Sequence, residues 1–382
     1  MNVSSEYKFQ TCTYTLPTGT LEMTCKQADY SFAALFDIAQ RRNPRRSFLF
    51  VSKVLGRHIP VAPSVMRQIY QQLAGKLSNL VAEPVLFIGL AETAVGLGAG
   101  IFDVIRKQLP SAVYLTSTRH PVDGHLWCSF KEEHSHATDH LLYLPNEKLM
   151  RQHIENARTI VLVDDEATTG KTFRNLLQAV QDTQVLKKLQ QVITVTLTDW
   201  SNNALQQNTT LPVYAVSLMS GQWHWSPDLD ASMPAMPNVN ITAKGSVAIS
   251  KNQSWGRLGM MIPTHEFGSG ITAFADEKIL VLGSGEFVWL PFLLAERLEA
   301  QGAQVSYSSI SRSPIAIGQA IQSVIAFTDN YGLGIPNFVY NIAHQKFDRI
   351  ILCIETPADS VDQILLNALD KIAPEVKIIS YA

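Results

Sequence analysis

The sequence predicts an α/β protein with two parallel-sheet domains, on three observations. Strand-like apolar runs alternate with helical stretches, the order that builds a parallel sheet covered by helices. The alternation breaks once, between Ser220 and Trp255, where Pro227, Pro234 and Pro237 gather with Gly, Ser and Asn. The chain has 382 residues, long enough for two ordinary domains.

Before the break, Pro84–Leu90 (PVLFIGL) reads as a buried strand, and a helix opens near Leu97 and continues through Gly100–Leu109. Ala112–Leu115, Ala157–Val163, Gln191–Leu197 and Pro212–Ser217 are the following strands. Lys171–Asp182 is an amphipathic helix with Phe173, Leu176, Leu177 and Val180 on one face. Beyond the break, strands are expected at Lys278–Leu282, Gln304–Ser308, Arg349–Ile354 and Val376–Ser380. Helices are expected at Val288–Ala300, Ile315–Phe327 and Ser360–Leu369, with Pro314 opening the second of them.

Composition narrows the function classes. Hydrophobic residues at 46% and charged residues at 17% exclude wholesale disorder, and a net charge of -2 excludes a global basic field for nucleic acid. The cysteines, Cys12, Cys25, Cys128 and Cys353, form no Cys-x-x-Cys pair, so reduced cytoplasmic thiols are expected rather than a disulfide framework or zinc ribbon. The first twenty residues lack a basic stretch followed by an apolar core, so no secretory signal is expected. The most apolar window, Leu80 to Phe102, is interrupted by Glu83 and Glu92, so no membrane span is expected.

The most informative stretch is VLVDDEATTGKT, Val161–Thr172. A buried strand delivers two adjacent acids, Asp164 and Asp165, and a loop of small and hydroxyl residues leads into a helix. Backbone N–H groups at a helix N-terminus cradle phosphate, and the hydroxyls of Thr168, Thr169 and Thr172 add donors. The acids can accept hydrogen bonds from two vicinal hydroxyls, so the pattern suits a sugar phosphate. A bland alternative is a strand ending in a polar capping turn. Gly170-Lys171-Thr172 also matches the end of a P-loop, but Asp165 stands where that motif requires glycine. Gly96, Gly98 and Gly100 form G-x-G-x-G, which fails the dinucleotide fingerprint and suits tight helix packing.

This stretch resembles the phosphoribosyl-pyrophosphate (PRPP) motif of type I phosphoribosyltransferases. The resemblance implies that fold: a Rossmann-like parallel sheet flanked by helices, with a hood. It implies ribose-hydroxyl contacts for Asp164 and Asp165, and a 5-phosphate loop of Ala167, Thr168, Thr169, Gly170, Lys171 and Thr172. Lys171 departs from the glycine of many members. Gly89, Leu90, Ala91, Glu92, Thr93 and Ala94 stand where the family's pyrophosphate loop lies. The segment STRHPVDGHLWCSFKEEHSHATDH falls where a mobile loop closes over the transferring group. Arg119 and Lys131 are its candidate cations for departing pyrophosphate, and His134 and His136 are candidates for the same role or for proton transfer. A metal site from His125, Cys128, His134, His136 and His140 is an alternative, although its spacing matches no common zinc pattern. A solvated histidine-rich loop is another.

Arg41, Arg42, Arg45 and Arg46 form a local basic cluster before Lys53, Arg57 and His58. It reads as a charged loop, as a hood in which Lys53 and Arg57 reach an anion, or as an RNA contact, which the overall charge disfavours. With FLFVSKVLGRHIP, GLAETAVGLG and Ser311-Arg312-Ser313-Pro314, the chain resembles the orotate phosphoribosyltransferase-like proteins of bacterial tellurium-resistance and stress gene clusters. Those proteins carry a C-terminal domain named for a Thr-Arg-Ser-Pro motif, and here Ser311 replaces the naming threonine. The implied division is a transferase domain over 1–235, a linker over 236–256 and a smaller α/β domain over 257–382. Gly283, Gly285, Ser311, Arg312 and Ser313 are anion candidates in that last domain. The implied activity is PRPP-dependent transfer of phosphoribose to a nucleobase-like acceptor, or the reverse, with Mg²⁺ held mainly through PRPP beside Asp164 and Asp165. A homodimer is expected, and no membrane partner. A sensor that binds PRPP or a nucleotide without transfer, and an RNA-linked regulator, are the rivals.

Overall fold

The computed structural model describes residues 10–41, 43, 46–131, 140–232, 234, 255–264 and 266–381. They fall into two compact units that are interleaved along the chain. The central unit takes Arg67–Ser217 and the described residues from Trp255 to Glu266; the terminal unit takes the described residues up to Met66, those from Leu218 to Pro234, and Phe267–Tyr381. The sequence suggests a linear division at residues 236–256, whereas by compactness the first 66 residues group with the C-terminal ones.

In chain order, the terminal unit opens with β1 (Thr11–Leu16), β2 (Gly19–Ala28), a short α1 (Phe32–Leu35), β3 (Phe36–Gln40) and β4 (Phe48–Ser52). Next come α2 (Pro63–Leu77), β5 (Val85–Gly89), α3 (Ala94–Ile105), β6 (Ala112–Thr116), β7 (His125–Phe130), β8 (His140–Leu144) and α4 (Lys148–Glu155). They are followed by β9 (Thr159–Val163), β10 (Glu166–Ala167), α5 (Lys171–Asp182), β11 (Gln191–Asp199) and β12 (Val213–Pro227). The chain closes with β13 (Lys278–Gly283), α6 (Trp289–Ala300), β14 (Gln304–Ser309), β15 (Val324–Thr328), β16 (Pro336–Tyr340), β17 (Arg349–Ile354), α7 (Gln363–Leu369) and β18 (Glu375–Ser380).

In the central unit β6, β5, β9 and β11 lie side by side, all parallel. Strands β5, β6 and β9 are buried at every position, which explains their unbroken apolar runs. Helix α3 packs on this sheet through its glycines. A Cβ on Gly98 would stand 3.0 Å from the Tyr114 ring, and one on Gly100 would stand 2.2 Å from the Tyr70 ring. Gly98 and Gly100 therefore serve packing, against β6 and α2 respectively. Residues beyond the proline-rich break return to this sheet: Tyr114 and Met260 exchange two backbone hydrogen bonds of 2.9 Å, and the Thr116 N–H donates to the Gly256 carbonyl at 3.0 Å.

The terminal unit has its own parallel sheet, β14-β13-β17-β18. By order of appearance, both parallel sheets run second, first, third, fourth. The N-terminal segment joins this part of the chain. Val61 and Tyr307 exchange backbone hydrogen bonds of 3.0 and 2.7 Å, and Ala39 and Val51 share an apolar cluster with Ile315, Ile321, Phe338 and Tyr340. Separately, β12 pairs antiparallel with β2, and β2 with β1.

The helix expected over Ile315–Phe327 is not there. Gly318 and Gln319 take positive φ values of 122° and 54°, and the Ala316 and Ala320 N–H groups donate to Gln40 and Ile38 carbonyls at 2.9 and 3.2 Å. Tertiary partners thus claim the donors that a helix would use internally. Pro314 opens no helix, and the segment ends in β15. Arg46 of the basic cluster lies 4.7 Å from the Phe48 ring centre and 5.4 Å from that of Trp223, a cation–π setting. Arg42 and Arg45 lie outside the described residues.

His58 makes this unit sensitive to acid. Its Nε2 lies 3.3 Å from Ser311 Oγ, and burial, reinforced by Arg57, lowers its pKa from 6.5 to about 3. The unfolded chain therefore binds the proton that the folded chain refuses, and stability falls as pH drops below about 6.5. Between pH 6.5 and 5 the loss from this group is expected to be about 2 kcal/mol. Denaturant midpoints measured at both pH values check it, and His58→Gln should remove most of the slope.

Candidate active site

The site lies at the carboxyl ends of β5, β6, β9 and β11. In the central sheet the first and third strands are neighbours, and the crevice outside their carboxyl ends is where open α/β sheets bind ligands. In register, Gly89 stands opposite both Thr116 and Val163. The Ser117 N–H donates to Gly89 O and the Leu90 N–H to Val163 O, both at 3.0 Å. Loops 89–94, 116–120 and 164–170 therefore leave the sheet together.

Beyond β9, the Asp164 N–H still donates to Val195 O at 3.0 Å, and Asp164 Oδ1 accepts the Asp165 N–H at 2.9 Å. Both acids are half-buried at the sheet edge, followed by the half-buried Glu166. β10 returns Glu166 and Ala167 to pair with Thr198 and Asp199 of β11. The chain then turns through Thr168 and Thr169 to Gly170, which caps α5 with φ 68°, a left-handed conformation that glycine adopts without steric cost. Lys171 and Thr172, both half-buried, form the first turn of α5. The departure at Lys171 leaves the loop intact, because the conformational demand falls on Gly170.

Loop 89–94 is anchored by Ser117 and His140, neither of which the sequence connects to that loop. The Ala91 N–H donates to Ser117 Oγ at 2.9 Å, Ser117 Oγ lies 3.1 Å from His140 Nδ1, and both side chains are wholly buried. The Ala91–Glu92 peptide is cis. His140 opens β8, and its successor Leu141 exchanges two backbone hydrogen bonds with Thr118 of 2.9 and 2.8 Å. Arg257, 2% exposed, donates from Nε to Thr118 Oγ1 at 3.1 Å. The segment that pairs with β6 thus delivers a buried arginine to the loop carrying Arg119. Its position in a proline- and glycine-rich stretch hid it from a reading by strand and helix periodicity; the Trp255-Gly256-Arg257 break in polar texture was the available signal.

Arg119 is half-buried in loop 116–120. Lys131, exposed at the end of β7, has its carbonyl held by Asn175 Nδ2 of α5 at 2.9 Å. His134 and His136 lie outside the described residues. Among the described residues no group of three or more His, Cys, Asp or Glu is arranged to hold a metal. Burial raises the Cys128 thiol to about 12, well away from the thiolate a metal requires. Lys53 and Arg57 belong to the terminal unit, where Arg57 Nη1 donates to Gly285 O at 2.8 Å.

Ser117→Ala leaves the buried Ala91 N–H without this acceptor. Its expected cost is about 1–3 kcal/mol of local stability, with a rise of about tenfold in the apparent constant for any anion held by loop 89–94. Pyrophosphate titration of both proteins measures it.

A phosphoribosyl transferase family model matches residues 35–222, and a model of the TRSP domain that stands C-terminal to it matches residues 262–369. No curated protein matches. Among solved structures, adenine phosphoribosyltransferase from Rhodothermus marinus is 17% identical with a TM-score of 0.32, covering 48% of this chain and 94% of its own. The Trypanosoma brucei adenine enzyme, in complex with AMP, pyrophosphate and ribose-5-phosphate, is 16% identical with a TM-score of 0.33, covering 49% and 77%. Orotate phosphoribosyltransferase from Aeropyrum pernix is 17% identical with a TM-score of 0.30, covering 50% and 88%. The family models carry the assignment: the chain is a phosphoribosyltransferase, its transferase-family domain followed by a TRSP domain.

Proposed function

We propose that the enzyme transfers the phosphoribosyl group of PRPP to a nucleobase-like acceptor with release of pyrophosphate, or in reverse consumes pyrophosphate to free such a base from its nucleotide and re-form PRPP. The product would be a nucleotide-like metabolite of a bacterial stress response, made by a cytoplasmic homodimer. One observation supports the reading above the others. A strand-end acid pair with its hydroxyl loop, and the loop Gly89–Ala94, leave adjacent strands at a single crossover point.

Asp164 and Asp165 would accept hydrogen bonds from the ribose 2- and 3-hydroxyls. The amides and hydroxyls from Ala167 to Thr172 would hold the 5-phosphate at the N-terminus of α5, and the amides of loop 89–94 would hold pyrophosphate. Mg²⁺ would be held mainly through the oxygens of PRPP, with Asp164 and Asp165, hard oxygen donors of the kind it takes alongside substrate phosphates, beside it. Mg²⁺, when bound, supplies neutralising charge on pyrophosphate. As the bond from ribose C1 to pyrophosphate lengthens, negative charge builds on the departing oxygen and positive charge on C1. Arg119 and Lys131 would meet the first, and a ring nitrogen of the acceptor would meet the second. The protein positions the reactants and stabilises charge, and forms no bond to either.

Pyrophosphate release from PRPP in the presence of a panel of purine and pyrimidine bases tests the reading. Arg119→Ala and Lys131→Ala should each lower kcat by about 10²-fold with little change in PRPP affinity. Loss of affinity alone would contradict a transition-state role. PRPP binding without pyrophosphate release in the presence of any acceptor would point to a sensor.

A further inference from the structure

The terminal unit carries a second place where an α/β sheet binds ligands. Its parallel sheet repeats the strand order of the central one, so its crossover point falls between the carboxyl ends of β13 and β17. Buried polar side chains gather at that edge. The turn after β13 brings Ser284 and Glu286, the end of β17 brings Glu355 and Thr356, the loop after β15 brings Asn330 and Tyr331, and the N-terminal segment brings Arg57. Glu286, Glu355 and Arg57 are 5%, 1% and 5% exposed.

These groups hold one another in place. Ser284 Oγ lies 2.9 Å from Asn330 Oδ1, and Asn330 Nδ2 donates to Thr356 Oγ1 at 2.7 Å. Tyr331 OH donates to Glu355 Oε1 at 2.7 Å, and Arg57 Nη1 also reaches Ser309 Oγ of β14 at 3.3 Å. Arg312, half-buried, and Ser313, exposed, stand just beyond β14. Their backbone is fixed on both sides by the Ser313 N–H to Ser311 Oγ bond of 3.1 Å and the Tyr340 OH to Ser313 O bond of 2.6 Å.

Taking three ionisable groups out of water costs several kcal/mol each before partners compensate. A network meant only to hold the fold has no reason to collect at the crossover point. Carboxylates and amides there suit a ligand rich in hydroxyls, and the half-buried arginine beside a free-standing hydroxyl suits an anionic group on the same ligand.

We propose that this edge of the terminal unit is a second binding site, for a sugar phosphate. PRPP and the phosphoribosylated product of transfer share that chemistry. The inference goes beyond the transfer reading; only the count of two sites expected for wild type rests on that reading.

Calorimetric titration of the full chain with ribose 5-phosphate tests it. Wild type should bind at two sites. Asp164→Asn with Asp165→Asn should leave one, and Arg312→Ala or Glu355→Gln added to that pair should weaken the remaining site by about tenfold or more. Arg312→Ala, at a half-buried position, keeps the test decisive if the buried Glu355→Gln fails to fold. Parallel titrations with PRPP and AMP distinguish substrate from product as the occupant. No binding to the Asp164/Asp165 double variant would overturn the proposal, as would binding that ignores Arg312→Ala, or inorganic phosphate binding as tightly as the sugar phosphate. A failure of transfer instead appears as absent pyrophosphate release from wild type, with the count of sites unchanged.

Discussion

Replacing both strand-end acids, Asp164→Asn with Asp165→Asn, is expected to lower kcat/KM for PRPP by at least about 10²-fold. It should also abolish the thermal shift that PRPP with Mg²⁺ confers on wild type. Asparagine keeps the size of each side chain and leaves an oxygen for the Asp165 N–H that Asp164 Oδ1 accepts, so the loop can keep its course. What is lost is the charge. A neutral amide accepts a weaker hydrogen bond from a ribose hydroxyl than a carboxylate does, and it draws a divalent cation far less. Differential scanning fluorimetry and a pyrophosphate-release assay on the same preparations read the two effects. An equal thermal shift in both proteins would remove the ribose assignment.

The second large effect is expected from Gly89→Ala. A Cβ here would stand 2.4 Å from Tyr114 Oη and 2.9 Å from the Ala94 carbonyl. Neither neighbour can give way. Tyr114 is wholly buried and its hydroxyl donates to the Val95 carbonyl at 2.7 Å, while Ala94 begins α3. Overpacking of this kind costs about 1–3 kcal/mol, and the displaced atoms belong to the loop that would bind pyrophosphate. The melting temperature should fall, and kcat/KM should fall further than stability alone explains. The measurement is activity at a temperature where circular dichroism shows the variant folded. Full activity there would mean that the loop's position is not critical.

Much of the central unit was legible because its elements are strongly patterned. The helix expected over Lys171–Asp182 has those bounds in the structure, and its apolar face, Phe173, Leu176, Leu177 and Val180, is the buried one. In the terminal unit, the strand expected at Arg349–Ile354 likewise has those bounds. The acid pair and its loop could be read because a buried strand, two carboxylates and a glycine cap are all local. What escaped was long-range. The segment Ile315–Phe327 has helical composition, but two of its N–H groups are taken by carbonyls of Ile38 and Gln40 and others by Tyr340 and Asn341 side chains. Ser117 looks ordinary until folding sets it between the Ala91 N–H and His140. Arg257 sits past a proline-rich break and acquires a role only when its segment pairs with β6. The grouping of the first 66 residues with the C-terminal ones was equally hidden, because Val61 and Tyr307 are partners that no local pattern connects.

The most direct test of the central claim is acceptor-dependent release of pyrophosphate from PRPP by the purified full chain, with the products resolved by mass spectrometry. The expected result is a phosphoribosylated product formed in step with pyrophosphate, present with wild type and absent with Asp164→Asn/Asp165→Asn. Undiminished release by that double variant, or a wild type that converts PRPP with no acceptor in the panel or in a cell extract, would contradict it.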